Sequence, residues 1–422
     1  MKYIQKYLNQ RCDNALELPD SDIYAELVVV MPAYDEDIDC ILEVVRSLAY
    51  QNNATVKYAV YILINTHEKD SSQLVYDSIS LYEKLNDRLE EFNTDNCHFH
   101  LYYKHYTVKK SGVGHARKSL MDLAFRYFNS RSSQGIIVNI DADTSVADNY
   151  VNAIVDHFKS NPNSEAASIR YEHVIPDDGH PIIDYELHLR YFINMQRLIR
   201  LPYAYQTVGS AMAVRSHAYA KEGGMNKRQA GEDFYFLHKY TKNLTLTEIN
   251  DTVVMPSSRK SGRVPFGTGK AVSDASKTGY SAMSYNYDSF IDIQKWMTQN
   301  LKVILDTTSK SFKYQPSSCE ALNDFLIAIK AESDLNSTVL NTNNQEIRYK
   351  SFFAWFNAFQ LMKCLHYMRD NGFPDQPIDI CVKRLFSAIN LGYSDSRKEN
   401  LLRIREYDKV GYHREVDIND GQ

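Results

Sequence analysis

At 422 residues, with 44% apolar and 24% charged side chains, the chain can bury a sizeable core and is long for one domain. A formal net charge of −5 gives no bulk attraction to nucleic acid or to an anionic membrane, so any phosphate must be held by a local site. Cys12, Cys40, Cys97, Cys319, Cys364 and Cys381 are scattered, without a C-x-x-C pair or a metal spacing, as in free thiols of a reducing cytosol. The opening residues lack a signal-peptide pattern, and no apolar run reaches the roughly 18–20 residues of a membrane span. A cytoplasmic protein is expected, with peripheral contact at the inner face of a membrane left open.

Residues 1–26 read as a helical lead-in. The apolar run Leu27–Met31 predicts an interior parallel strand that Pro32 ends, because proline cannot donate to the ladder. Ala33-Tyr34-Asp35-Glu36-Asp37 follows as an acidic loop before a helix with Ile41, Val44, Val45 and Leu48 on one face. Tyr58–Asn65 predicts a second strand, leading into the polar loop Thr66–Asp70. A helix over Ser72–Leu89 and a third strand over His98–Tyr103 come next. Strand alternating with helix is the pattern of a parallel sheet.

Lys109-Lys110-Ser111-Gly112-Val113-Gly114-His115-Ala116-Arg117-Lys118-Ser119 then opens a helix carrying Leu120, Leu123, Ala124 and Tyr127. Glycines and cations at a helix start make either an anion nest for phosphate or a solvated basic face. The segment is nearly a P-loop, but Arg117 stands where that motif has its second glycine.

Ile137-Val138-Asn139-Ile140 predicts a buried strand that stops at Asp141-Ala142-Asp143. The carboxyl end of a central strand borders the ligand crevice of an open α/β sheet. Two hard oxygen donors there suit Mg²⁺ or Mn²⁺, which takes one or two protein carboxylates and adds water and substrate phosphates. The same tripeptide also begins ordinary turns.

Beyond it, Tyr150–Phe158 repeats at helical spacing, Ala166–Ile175 predicts a strand, and Leu187, Tyr191, Met195 and Leu198 mark a long core helix. Gly209 sits among small residues, which allow close approach to a bound group or tight strand packing. Glu232 and Asp233 follow Gly231 at the start of a helix, whose dipole favours their ionised forms. They suit proton acceptance or simple capping. Residues 256–270, rich in Gly, Ser and Pro with Arg259, Lys260, Arg263 and Lys270, read as a loop. It either closes over a diphosphate, whose oxygens match guanidinium forks, or serves as a solvated linker. After Ala275 the pattern is amphipathic helix, with Phe352–Met368 as one aromatic-rich helix and a polar tail from Ser394.

Val28–Glu36 resembles the opening strand and P-x-Y-N-E loop of family 2 glycosyltransferases of the GT-A fold. Gly112–Lys118 is similar to their G-x-x-x-A-R-N segment, Asp141-Ala142-Asp143 to their D-x-D, and Glu232-Asp233 to their E-D, in the family's order. The resemblance implies an α/β, Rossmann-like, mostly parallel central sheet flanked by helices. The catalytic domain would span 1–275, and 276–422 would form a mainly helical accessory region. It also implies a UDP- or GDP-sugar donor contacted by Pro32, Ala33, Tyr34, Glu36, Asn65, Gly112, Gly114, Arg117, Asp141, Ala142, Asp143, Gly209, Arg259 and Arg263.

By that resemblance Tyr34 and Glu36 flank the nucleoside, Asp143 and Asp141 hold Mn²⁺ or Mg²⁺, and Asp233, with Glu232 second, is the base. One sugar would pass with inversion to a hydroxyl of a carbohydrate or lipid-linked acceptor. Two departures touch the donor site. Asn65-Thr66-His67 stands where many members carry an acidic pair, and Asp35 replaces the frequent asparagine. No Q-x-x-R-W signature of processive synthases is present. Two alternatives stand beside this reading: a non-catalytic nucleotide-sugar-binding or scaffold protein, and a P-loop-like phosphotransferase using Lys118 and Ser119.

Overall fold

The computed structural model describes residues 2–20, 23–107, 112–227, 231–260, 267–275, 277, 281–306 and 312–410. Arg263 lies outside the described residues, as do Lys109, Lys110, Ser111 and the centre of the 256–270 loop. Two compact units result. One comprises Met1–Pro176, Gln206–Tyr240 and Thr245–Lys270, the other Asp177–Tyr205, Thr241–Leu244 and Ala271–Gln422.

In chain order the elements are α1 (Lys2–Gln10), β1 (Leu27–Ala33), α2 (Ile38–Ala49), β2 (Tyr58–His67), α3 (Ser72–Leu89), β3 (Cys97–Tyr106) and α4 (Val113–Ser130). They continue with β4 (Ile136–Asn139), β5 (Thr144–Val146), α5 (Tyr150–Ser160), β6 (Ala166–Tyr171), α6 (Ile182–Leu198), β7 (Met212–Arg215), α7 (Ser216–Lys221), α8 (Glu232–Thr241), β8 (Leu246–Pro256) and α9 (Thr268–Ala275).

The first unit is built on an eight-stranded sheet in the order β3-β2-β1-β4-β7-β6-β8-β5. From β3 to β4 all pairings are parallel. Beyond β4 the sheet is mixed: β7 runs against both neighbours, β6 and β8 are parallel, and β5 is an antiparallel edge. β1 and β2 are buried along nearly their whole length, which explains their unbroken apolar sequences. Helix α4 packs against β1 and β2, α3 against β2 and β3, and α5 against β8.

Pro32 does not end its strand. It lies inside β1 opposite Leu63. The Val30 carbonyl accepts from Ile140 N at 3.1 Å, so residues 30 and 32 turn their polar groups to the β4 side. There the paired ladder stops at Asn139, and the missing N–H at Pro32 leaves no ladder acceptor unmatched.

The second unit adds β9 (Met283–Ser284), α10 (Tyr287–Leu305), α11 (Glu320–Ala328), α12 (Ala331–Leu340), α13 (Gln345–Trp355), α14 (Ala358–Asp370), β10 (Gln376–Pro377), α15 (Ile378–Ala388) and α16 (Arg397–Lys409). The compact units do not divide at residue 275, because α6 packs with α15 and α16 instead of with the sheet's helices. Glu186, fully buried on α6, accepts from Arg190 Nε at 2.7 Å and Arg405 Nε at 2.8 Å, while Asn194 donates to Asp408 at 2.9 Å. Phe352–Met368 is two helices, not one. Asn357 caps the second by accepting from Phe359 N and Gln360 N at 3.0 and 3.2 Å. Among the described residues no helix is long and apolar enough to cross a membrane.

Candidate functional site

Strand direction decides what meets. β1, β2 and β4 are parallel neighbours, so the loops after them open at one end of the sheet: Tyr34–Asp37, Glu68–Asp70 and Asp141–Asp143. β7 is antiparallel to β4 and therefore brings the residues before it, including Gly209, to that same end. Ser257 and Arg259, just past β8, join them: Ser257 N donates to the Asp143 carbonyl at 3.2 Å.

The acidic turn is tight, with the Asp141 carbonyl accepting from Thr144 N at 3.1 Å. Both carboxylates keep contact with solvent, the Asp141 side chain being 39% exposed and that of Asp143 24%. Each is held by an arginine. Arg259 donates from Nε to Asp143 at 2.9 Å and from Nη2 to Glu36, bridging the β1 and β4 loops. Arg117, in the second turn of α4, donates from Nη2 to Asp141 and from Nη1 to Glu232. The D-x-D and E-D segments therefore meet through one guanidinium.

Glu232 and Asp233 begin α8, as expected. Glu232 is buried, and Asp233 is part-buried with its Oδ1 accepting from Phe234 N at 2.7 Å. Burial pushes the Asp233 carboxyl up to about 7; the charges of Glu232 and Asp141 add to that, and Arg117 opposes it. The arrangement supplies a proton acceptor poised near neutral pH.

The remaining expected residues take plainer places. Pro32 and Ala33 are buried in β1, Asn65 is 5% exposed in β2, and Ala142 is buried between the two aspartates. Gly112 caps α4 with φ 111° and accepts from His115 N at 3.0 Å, and Gly114 is buried in the first turn. A Cβ on Gly209 would lie 2.8 Å from Arg117 Nη1.

Neither Arg117 nor Lys118 forms a solvated basic face. Lys118 is 3% exposed and donates to Tyr7 at 2.9 Å and Asp122 at 2.8 Å. A P-loop mechanism requires that lysine on the phosphates, so the structure removes the phosphotransferase alternative.

Three residues were not singled out by the sequence. Asp70 accepts from the Tyr34 hydroxyl at 2.8 Å and from His67 N at 2.8 Å, and the His67 ring stacks on Tyr34 with centroids 5.6 Å apart. The signal was available in Asp70, a carboxylate three residues beyond a strand that ends at His67. Asn139 and Thr144 bracket the acidic turn, buried, and their side-chain polar atoms have no hydrogen-bond partner among the described residues.

Among the described residues no three His, Cys, Asp or Glu side chains form a metal-binding group. The donor set nevertheless fits a hard divalent cation. Asp141 and Asp143 offer the one or two carboxylates such an ion takes, leaving its other positions to phosphate and water.

No family model matches the chain, and no curated protein matches it significantly. Among solved structures it is similar to residues 1–349 of TarS from S. aureus in complex with UDP-GlcNAc. That match has 12% identity and a TM-score of 0.38, covering 94% of this chain and 95% of that one. It is also similar to the mannosyltransferase PcManGT from Pyrobaculum calidifontis in complex with GDP-Man and Mn²⁺. There the identity is 13% and the TM-score 0.37, covering 97% and 94%. Likeness at this level leaves the functional reading to the residues themselves.

Proposed function

We propose that the chain is a nucleotide-sugar-dependent glycosyltransferase that moves one sugar from a UDP- or GDP-sugar to a hydroxyl of a carbohydrate or lipid-linked acceptor, with inversion. One observation carries the reading: Asp233, with raised proton affinity, adjoins Glu232, which Arg117 ties to the acidic turn at the end of β4. Sugar transfer asks for a base and a diphosphate site side by side. A simple strand-end turn asks for neither.

In this mechanism the acceptor hydroxyl gives its proton to Asp233 as its oxygen attacks the anomeric carbon. The nucleoside diphosphate leaves from the opposite face with the electron pair of the broken C–O bond. A carboxylate near pKa 7 is a stronger base than an ordinary one, yet still deprotonated in part at neutral pH. Arg259, whose side chain is 31% exposed, trades a carboxylate for diphosphate oxygens, where its planar fork gives two directed hydrogen bonds. Asp143 and Asp141 would hold Mn²⁺ or Mg²⁺, which when bound supplies Lewis-acid stabilisation of the leaving group. Tyr34, braced by His67 and Asp70, would lie beside the nucleoside. Catalysis on this reading belongs to the first compact unit, and the helical unit is accessory.

The test is a thermal-shift panel of nucleotide-sugars, UDP-GlcNAc and GDP-Man among them, with and without Mn²⁺. One donor is expected to raise Tm, and only with the cation present. A flat panel under both conditions overturns the proposal.

A further inference from the structure

We infer that Arg117 is a positioning residue, not a donor ligand, and that Gly209 lacks a side chain because the Arg117 guanidinium must lie against it. The inference rests on the reading above for its catalytic consequence, but its structural core stands on packing alone.

Arg117 is 2% exposed. Its two terminal nitrogens are committed to carboxylates from two distant segments, Asp141 beyond β4 and Glu232 at the start of α8, and its Nε is buried without a partner among the described residues. To reach a phosphate it would have to leave both carboxylates, one of them buried. Arg259 also holds a carboxylate with little exposure, Glu36 at 8%, but is itself part-exposed and past the end of β8, so it meets water when it lets go. The two cations have divided the work.

The helix that carries Arg117 is itself fixed. One residue further, Lys118 pairs with Asp122 one turn on, and Asp122 also accepts from Tyr7 and Tyr219 hydroxyls and from Asp13 N. Asp122 is fully buried, so this knot sets the rotation of α4 and with it the direction of Arg117.

Gly209 completes the device. Its φ is not among the positive values that favour glycine, so its backbone admits any residue. Space is what excludes one. A Cβ there would lie 2.8, 3.0 and 3.2 Å from Nη1, Nη2 and Cζ of Arg117, three atoms of one guanidinium plane. The glycine therefore supports the plane that ties the E-D helix to the acidic turn. It does not need to touch sugar.

A double-mutant cycle tests this: Gly209→Ala, Arg117→Lys and the double variant, each measured for kcat, donor Kd and Tm. Gly209→Ala is expected to lower kcat about 10- to 100-fold, the usual cost of misplacing a reacting group by about an ångström, with donor Kd changed by less, since Asp143 and Arg259 keep their own contact. Arg117→Lys is expected to lose as much or more. The double variant should match Arg117→Lys alone, because an ammonium no longer presses on the added methyl.

Effects that multiply, or a Gly209→Ala variant whose main defect is donor affinity or that has no defect, overturn the inference. Should Gly209→Ala fail to fold, the double variant is expected to recover the fold, and its failure to do so counts against the inference. If wild-type protein transfers no sugar, the functional proposal falls while the Tm cycle still decides whether Arg117 and Gly209 act as one unit.

Discussion

Two arginine bridges stand at one end of the sheet with the same chemistry and different surroundings. Arg117 joins Asp141 to Glu232 from inside a helix, 2% exposed; Arg259 joins Asp143 to Glu36 from beyond a strand, with its side chain 31% exposed. Burial is what separates them. A buried arginine holds its geometry because leaving its carboxylates strands charge away from water, whereas a part-exposed one meets water as it exchanges partners, even with Glu36 only 8% exposed. The first therefore suits a frame for the base, and the second a grip that opens for a ligand.

The largest expected effect falls on the framed side. Asp233→Asn should lower kcat by about 10²–10⁴-fold, the usual contribution of a general base, with donor affinity unchanged. Single-turnover transfer and calorimetry on the same preparation measure both, and an active variant removes Asp233 from the role. Next comes the contrast itself. Arg259→Ala is expected to weaken donor binding about tenfold and to lower Tm less than Arg117→Ala does, because the arginine lost is part-exposed. Arg117→Ala should instead destabilise the fold by about 3–5 kcal/mol, because Glu232 is left buried and unpaired. Equal Tm losses in the two variants would erase the distinction.

The smallest effect is the pH dependence. Asp233 binds its proton more tightly folded than unfolded, so its contribution to stability is full below about 4 and is lost as pH rises through about 7. Activity has the opposite sign, rising through pH 7 as that proton leaves. Asp233→Asn should flatten both profiles and, at pH 8, melt about 2–4 °C above wild type. A wild-type profile that rises near pH 4 contradicts the raised proton affinity.

In the half of the sheet from β3 to β4, β1, β2 and β4 are legible in the sequence because they are buried on both faces and written in apolar runs, as in Leu27–Met31 and Tyr58–Ile64. Of the other half only β6 is, within the predicted strand Ala166–Ile175. β5 and β7 have three and four residues, too few for a period to show, and β8 runs through Thr247, Glu248, Asn250 and Asp251. Helix α6 left its sequence neighbours because Glu186 finds Arg405, 219 residues further on. Asn357 escaped notice because the apolar pattern continues straight across the cap.

At the site, the residue types were readable and the pairings were not. Asp141, Asp143, Glu232 and Asp233 announced themselves by standing at a strand end and a helix start. Arg117 and Lys118 are adjacent in a basic run, yet about 100° of helical rotation sends them to separate networks. Gly209 was legible as a close approach, though the approaching group is an arginine of the same chain.

The central claim is that Asp143 seats a cation that in turn holds an activated sugar's diphosphate. Calorimetric titration of the donor into wild type and Asp143→Asn, with and without Mn²⁺, tests it most directly. The account predicts cation-dependent binding in wild type and, in the variant, a loss larger than the roughly 10–100-fold that removing an outer-shell partner of a metal costs. Undiminished binding by Asp143→Asn, or binding indifferent to Mn²⁺, would contradict it.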